Sequence, residues 1–200
     1  MPEQVSHLRR LCVFCGSSRG RRGEYATAAQ ELAAELARRR IELVYGGGNI
    51  GLMGVLADAA LEHSVRVTGI IPSALAGKEL AHQGIDTLRI VDSMHARKAM
   101  MAELSDGFIA MPGGIGTFEE FFEILTWRQL GLHAKPCGLL DVAGYYDELI
   151  ALLDRSVSEG FLKPKHRSAV LVARTSAELL DRMQAWRPAP GAALLDQAET

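Results

Sequence analysis

The residues best suited to chemistry in this chain lie in one run, Met111-Pro112-Gly113-Gly114-Ile115-Gly116-Thr117-Phe118-Glu119-Glu120. Glycines where a strand passes into a helix permit a tight turn and let a ligand reach bare backbone. The N–H groups of the helix's first turn then face that ligand, backed by the positive end of the helix dipole. Such a turn is a phosphate site, and Glu120 sets a carboxylate one turn further in. A second reading fits the same residues. Thr117-x-x-Glu120 has the spacing of a capping box, in which Glu120 would bond only backbone.

Three further groups compete for a role. His95-Ala96-Arg97-Lys98 falls in the first turns of a helix expected from Met94 to Leu104, with Asp92 or Ser93 as its cap. Cations there oppose the helix dipole, so an anionic or electron-rich ligand is a sharper explanation than surface charge. Gly46-Gly47-Gly48-Asn49-Ile50-Gly51 satisfies G-x-G-x-x-G, but it follows the second strand-like run rather than the first. The next run ends in Pro72-Ser73 instead of the acid that would hold an adenosine ribose, so NAD binding is disfavoured. Close packing or approach to a nucleotide remains for these glycines. Cys12-x-x-Cys15 resembles a redox motif, yet residues three apart on a strand point to opposite faces. No His, Cys and Asp cluster has metal-ligand spacing, so no metal is expected.

These groups need a scaffold, and the pattern supplies one. Strand-like apolar runs cover Leu11 to Cys15, Ile41 to Tyr45, Val65 to Ile71, Thr87 to Val91, Gly107 to Met111, Pro136 to Asp141 and Ala169 to Val172. Helical periodicity covers Tyr25 to Arg40, Leu52 to His63, Met94 to Leu104, Phe118 to Leu130, Tyr145 to Glu159 and Ser176 to Trp186. Alternation of this kind predicts an α/β fold: a single doubly wound, Rossmann-like parallel sheet of about seven strands flanked by helices. One domain is expected over residues 1–187, with a mobile tail at 188–200 where Pro188, Pro190 and Gly191 break regularity. Gly131 reads as a helix stop, and the Arg38-Arg39-Arg40 run as a solvated helix end. The stretch from Pro72 to Asp86, holding Lys78, Glu79 and His82, reads as a lid or a connection.

Composition narrows the function further. A formal net charge of −2 gives no argument for nucleic acid or an anionic membrane surface as partner. The first ten residues lack the apolar core of a signal peptide, and no apolar run approaches the roughly 20 residues of a membrane span. Three cysteines make no even disulfide framework. A cytoplasmic protein is the expectation.

Matched whole, Pro112 to Glu120 resembles the signature of the LONELY GUY family, the cytokinin riboside 5′-monophosphate phosphoribohydrolases once labelled "lysine decarboxylase". Gly46 to Gly54 and Ser93 to Lys98 extend the likeness, which covers nearly the whole chain up to about Arg187. The resemblance implies a hydrolase of cytokinin biosynthesis: a purine nucleotide site, for AMP or an N6-modified relative, on a Rossmann-like homodimer without cofactor. By position it implies that Arg97 and Glu120 are the catalytic pair. It implies substrate contacts at Glu79, Lys98, Gly113, Gly114, Ile115, Gly116, Thr117, Phe118, Glu119 and Thr126, with Gly114, Gly116 and Thr117 on the phosphate. The large apolar side chains Phe121, Phe122, Leu125 and Trp127 are candidates for the dimer surface.

The chemistry supports that reading independently. Cleaving a base from a ribose passes through an oxocarbenium-like state, which calls for negative charge near the anomeric carbon and help for the departing base. Glu120 can supply the charge; Arg97, always cationic, suits the leaving purine or the nucleotide better than it suits proton donation. A non-catalytic nucleotide or cofactor carrier on the same sheet is the alternative, and Arg97, Lys98 and Glu120 together argue against it. Decarboxylation would need pyridoxal phosphate on a lysine, and no lysine has surroundings that suggest such a pocket.

Overall fold

The computed structural model describes residues 8–76 and 81–187. Its strands are β1 (Arg10–Phe14), β2 (Glu42–Tyr45), β3 (Val67–Pro72), β4 (Thr87–Val91), β5 (Gly107–Ala110), β6 (Cys137–Leu140) and β7 (Val170–Ala173). They form one sheet in the order β4-β3-β2-β1-β5-β6-β7, parallel throughout. The helices are α1 (Gly23–Arg39), α2 (Gly51–Glu62), α3 (Ser73–Leu75), α4 (Met94–Leu104), α5 (Ile115–Gln129), α6 (Asp147–Ser158), α7 (Pro164–Arg167) and α8 (Ser176–Ala185).

The central strands are apolar on both faces because helices cover both, and side-chain alternation sorts their residues into two layers. Leu11, Val13 and Ile109 pack with α1, α2 and α8, while Cys12, Phe14 and Phe108 pack with α4, α5 and α6. Cys12 and Cys15 accordingly lie in opposite layers as buried free thiols, and burial pushes both well above the usual thiol range.

Three differences from the sequence reading have physical causes. The expected helix from Tyr145 is preceded by a separate 3-10 turn, Val142–Gly144, in which Ala143 and Gly144 have φ of 54° and 73°. Left-handed residues cannot continue a right-handed helix, so α6 starts afresh at Asp147. α3 and α7 are too short to show periodicity. Finally, the arginine run is not simply solvated: the Arg39 side chain is only 7% exposed, reaching Asp181 at 2.8 Å and the Ala177 carbonyl at 3.0 Å, and so ties α1 to α8. The predicted tail at 188–200 lies outside the described residues.

Strand order reverses between β1 and β5, which opens a crevice at their carboxyl ends, where sheets of this kind bind ligands. Backbone bonds lock the turns around it together. Gly16 N–H donates to the Pro112 carbonyl at 3.1 Å, and Leu52 N–H to the Gly16 carbonyl at 3.0 Å.

Candidate active site

The turn after β5 fixes where α5 begins. Gly114 is the N-cap, with φ −98° and ψ −158°, and no side chain caps the helix. A Cβ on Gly113 would stand 2.1 Å from Thr117 Oγ1 and 2.9 Å from Gly16 N, so the chain can close here only on glycine. Gly114 and Gly116 have nothing within 4 Å of where a Cβ would be and face open space. The N–H groups from Gly113 to Thr117 donate to no acceptor among the described residues. Thr117 therefore sits buried inside the first turn rather than capping it, and the capping-box reading of Thr117 and Glu120 is overturned.

Glu120 instead points at α4. Its Oε1 lies 3.1 Å from Arg97 Nη2, with the two side chains 9% and 11% exposed. Arg97 rests here on the turn after β2, where a Cβ on Gly46 would meet the same Nη2 at 2.1 Å. Arg97 Nε is buried and has no partner among the described residues. Burial lifts the Glu120 carboxyl above the usual carboxylate range; Arg97 opposes the shift and Glu119 adds to it.

Lys98 turns to the outer side of α5. Its ammonium pairs with Glu119 and lies 3.0 Å from Glu123. Burial works against the charge, yet the hydrogen bonds to these two carboxylates raise Lys98 above the ordinary lysine value. Glu123 was absent from the sequence reading, although Glu119, Glu120 and Glu123 have the three- and four-residue spacing that shares one helix face. The result is a five-member charge cluster, three acids against two bases, joining the first turns of α4 and α5.

The remaining predicted residues divide. Ile115 is 82% exposed at the start of α5, and Phe118 stacks on Tyr145 beneath the turn. Thr126 is not brought to the crevice turn: nine residues beyond Thr117, it lies roughly 13 Å further along the helix. Its hydroxyl bonds back to the Phe122 carbonyl at 2.8 Å. Glu79 lies outside the described residues. Of the proposed dimer surface, Phe121 is a core residue at 2% exposure, Leu125 and Trp127 are partly packed, and Phe122 is exposed.

Two neighbours escaped the sequence reading. Ala81 forms a β-bridge with Gly48, and His82 pairs with Asp58 at 2.9 Å, so the end of the Pro72 to Asp86 stretch is clipped onto the glycine turn after β2. Tyr145 and Tyr146 donate hydrogen bonds to the carbonyls of Gly113 and Met111. Two pockets among the described residues lie elsewhere, at the amino ends of strands. One of about 460 Å³ is lined by Leu61, Ser64, Val65, Arg66 and Asp86.

A family model described as "possible lysine decarboxylase" matches residues 53–183. The cytokinin riboside 5′-monophosphate phosphoribohydrolase LOG3 of Arabidopsis thaliana is 49% identical over 185 residues, spanning 92% of this chain and 86% of its own. The probable cytokinin riboside 5′-monophosphate phosphoribohydrolase LOGL9 of Oryza sativa subsp. japonica is also 49% identical, over 183 residues, 92% of this chain and 81% of that protein. Among solved structures, the molybdenum cofactor carrier protein of Chlamydomonas reinhardtii has a TM-score of 0.66 at 20% identity, covering 90% of this chain and 99% of that one. That distant likeness establishes a shared fold alone. With the family model spanning most of the chain and about half of the aligned residues identical to those plant proteins, the chain belongs to the LONELY GUY family of cytokinin riboside 5′-monophosphate phosphoribohydrolases.

Proposed function

We propose that this protein hydrolyses the N-glycosidic bond of purine riboside 5′-monophosphates, cytokinin nucleotides among them, to free base and ribose 5-phosphate. One observation carries the proposal: a buried Arg97–Glu120 ion pair stands one helical turn beyond five N–H groups that lack an acceptor among the described residues. The 5′-phosphate takes those donors, from Gly113 to Thr117, at the positive end of α5. Ile115, Phe118 and Glu119 flank it. Binding energy from this remote group holds the ribose against Glu120 and is converted into rate.

As the bond from the anomeric carbon to the purine nitrogen breaks, its electron pair leaves with the base and positive charge develops on the sugar. The Glu120 carboxylate faces that charge, water adds to the same carbon, and the proton the water loses ends on the departed base. Arg97 keeps Glu120 ionised against burial and offers Nε, a donor without a partner among the described residues, to the departing base. Lys98 is a substrate contact that also braces α4 on α5 through Glu119 and Glu123. The family likeness adds Glu79 and Thr126 as substrate contacts. It also supports a cytoplasmic homodimer, for which Met94, Phe122, Leu130 and Leu132 are exposed apolar side chains beside the site helices.

The test is the specificity constant for AMP, or an N6-modified analogue, against that for the matching nucleoside. A preference of at least about 100-fold for the monophosphate is expected, since losing it leaves several N–H donors unpaired and the ribose unpositioned. Equal constants would remove the physical basis of the reading. Tight AMP binding with no release of base would favour the carrier alternative.

A further inference from the structure

The N–H groups of the crevice turn must be aimed, and Gly113-Gly114 is the peptide least able to aim itself. With glycine on both sides it rotates at small steric cost. In a trans peptide the carbonyl of one residue and the N–H of the next point in opposite directions. Whatever grips the Gly113 carbonyl therefore decides where the Gly114 N–H points.

That grip is Tyr145, whose hydroxyl donates to the Gly113 carbonyl at 2.5 Å. The ring is fixed from three sides: edge-on against Tyr25 at 5.8 Å, edge-on against Tyr146 at 5.1 Å, and stacked on Phe118 at 6.5 Å. Asp141, at the end of β6, accepts the Tyr146 N–H at 2.7 Å and so anchors the turn that presents both tyrosines. On the far side of the gripped peptide, Gly114 has no atom within 4 Å of its missing side chain.

Resting on the phosphate reading above, we propose that Tyr145 is a positioning residue for the substrate's 5′-phosphate. It holds the Gly113–Gly114 peptide so that the Gly114 N–H faces the phosphate oxygens. Tyr146 provides an internal control. Its hydroxyl donates to the Met111 carbonyl at 2.6 Å, but the following residue is Pro112, which has no N–H to aim. Two adjacent tyrosines thus brace the same turn, and only one of them orients a donor.

The experiment compares Tyr145→Phe and Tyr146→Phe with the natural protein, using AMP, adenosine and ribose 5-phosphate as probes. Tyr145→Phe keeps the ring and should raise KM for AMP and Kd for ribose 5-phosphate about tenfold, the scale of one hydrogen bond to a charged group. Because that bond is made equally in ground and transition states, kcat should change less than twofold. The specificity constant for adenosine should not move, nor Tm by more than about 2 °C. Tyr146→Phe should lower Tm by leaving a buried carbonyl unpaired, while the AMP-to-adenosine ratio stays that of the natural protein. The inference is overturned if Tyr145→Phe keeps the natural ratio, if both variants lose phosphate selectivity alike, or if Tyr145→Phe acts only through a lowered Tm. If the natural protein itself does not distinguish AMP from adenosine, the phosphate reading fails and this inference with it. A selective natural protein with an indifferent Tyr145→Phe sinks this inference alone.

Discussion

The turn after β2, Gly46 to Gly51, and the turn after β5, Pro112 to Gly116, read alike: each is rich in glycine and carries a buried strand into a helix. Their glycines face different surroundings. In the first turn a Cβ on Gly46 would strike Arg97 Nη2 at 2.1 Å, and one on Gly51 would strike the Ser17 carbonyl carbon at 2.2 Å. The outer edge of that turn is covered as well, since His82 N–H donates to the Gly47 carbonyl at 2.9 Å. In the second turn only Gly113 is crowded; Gly114 and Gly116 border empty space. A glycine pressed against protein is explained by packing. One pressed against nothing, beside N–H groups without acceptors, points to a ligand. The Arg97–Glu120 pair links the two, because Arg97 rests on the first turn and Glu120 on the helix that the second turn starts.

Severing that link should have the largest effect. Glu120→Gln keeps shape and removes charge, and kcat should fall by about 100-fold or more, roughly 3 kcal/mol of transition-state stabilisation. Stability should move the other way. Burial raises the folded Glu120 pKa above its unfolded value of 4.5, so the ionised group costs stability at pH 7 and that cost disappears as pH falls through the folded pKa. The variant should melt no lower than the natural protein at pH 7, and the two should converge below pH 4.5. The natural enzyme's rate should fall on its acid side at a pH above that ordinary value. A variant with full activity and a lowered Tm would return Glu120 to a purely structural role.

Gly46→Ala attacks the packed turn. The new methyl must displace the Arg97 guanidinium, so activity should drop toward that of Glu120→Gln, and overpacking should cost about 1–3 kcal/mol in denaturant unfolding. If both measurements match the natural protein, the close approach of Arg97 to β2 is not needed. Gly116→Ala attacks the open turn and should have the smallest effect. Nothing collides, and alanine within a first helical turn adds up to about 1 kcal/mol of stability. The methyl nonetheless intrudes where phosphate would sit, so the AMP specificity constant should fall about tenfold while the adenosine constant holds. Unchanged AMP kinetics would make the second turn a packing device like the first.

Local order was legible in the residues. Period-two alternation sent Cys12 and Cys15 to opposite layers, and the apolar runs gave all seven strands, with β4 and α4 matched at both ends. Ser93 caps α4 by accepting the Ala96 N–H at 3.1 Å, and Gly131 stops α5 with φ 77°, as their types suggested. Each of these depends on neighbours within a turn of helix or along one strand, distances that spacing encodes. Arg97, Glu120 and the crevice turn were legible too, through their motif.

What they touch was not. Thr117-x-x-Glu120 has the spacing of a capping box, and that reading failed only on packing, because Gly113 is wedged between Thr117 and the turn after β1 and the helix is capped at Gly114. Lys98 meets Glu119 across 21 residues, Tyr145 meets Gly113 across 32, and Arg39 meets Gln184 across 145. Contacts at such separations follow from the order of strands in the sheet, which places β5 beside β1 and α4 beside α5. No local periodicity carries that order, so the partners of the site residues emerged only when the chain was packed.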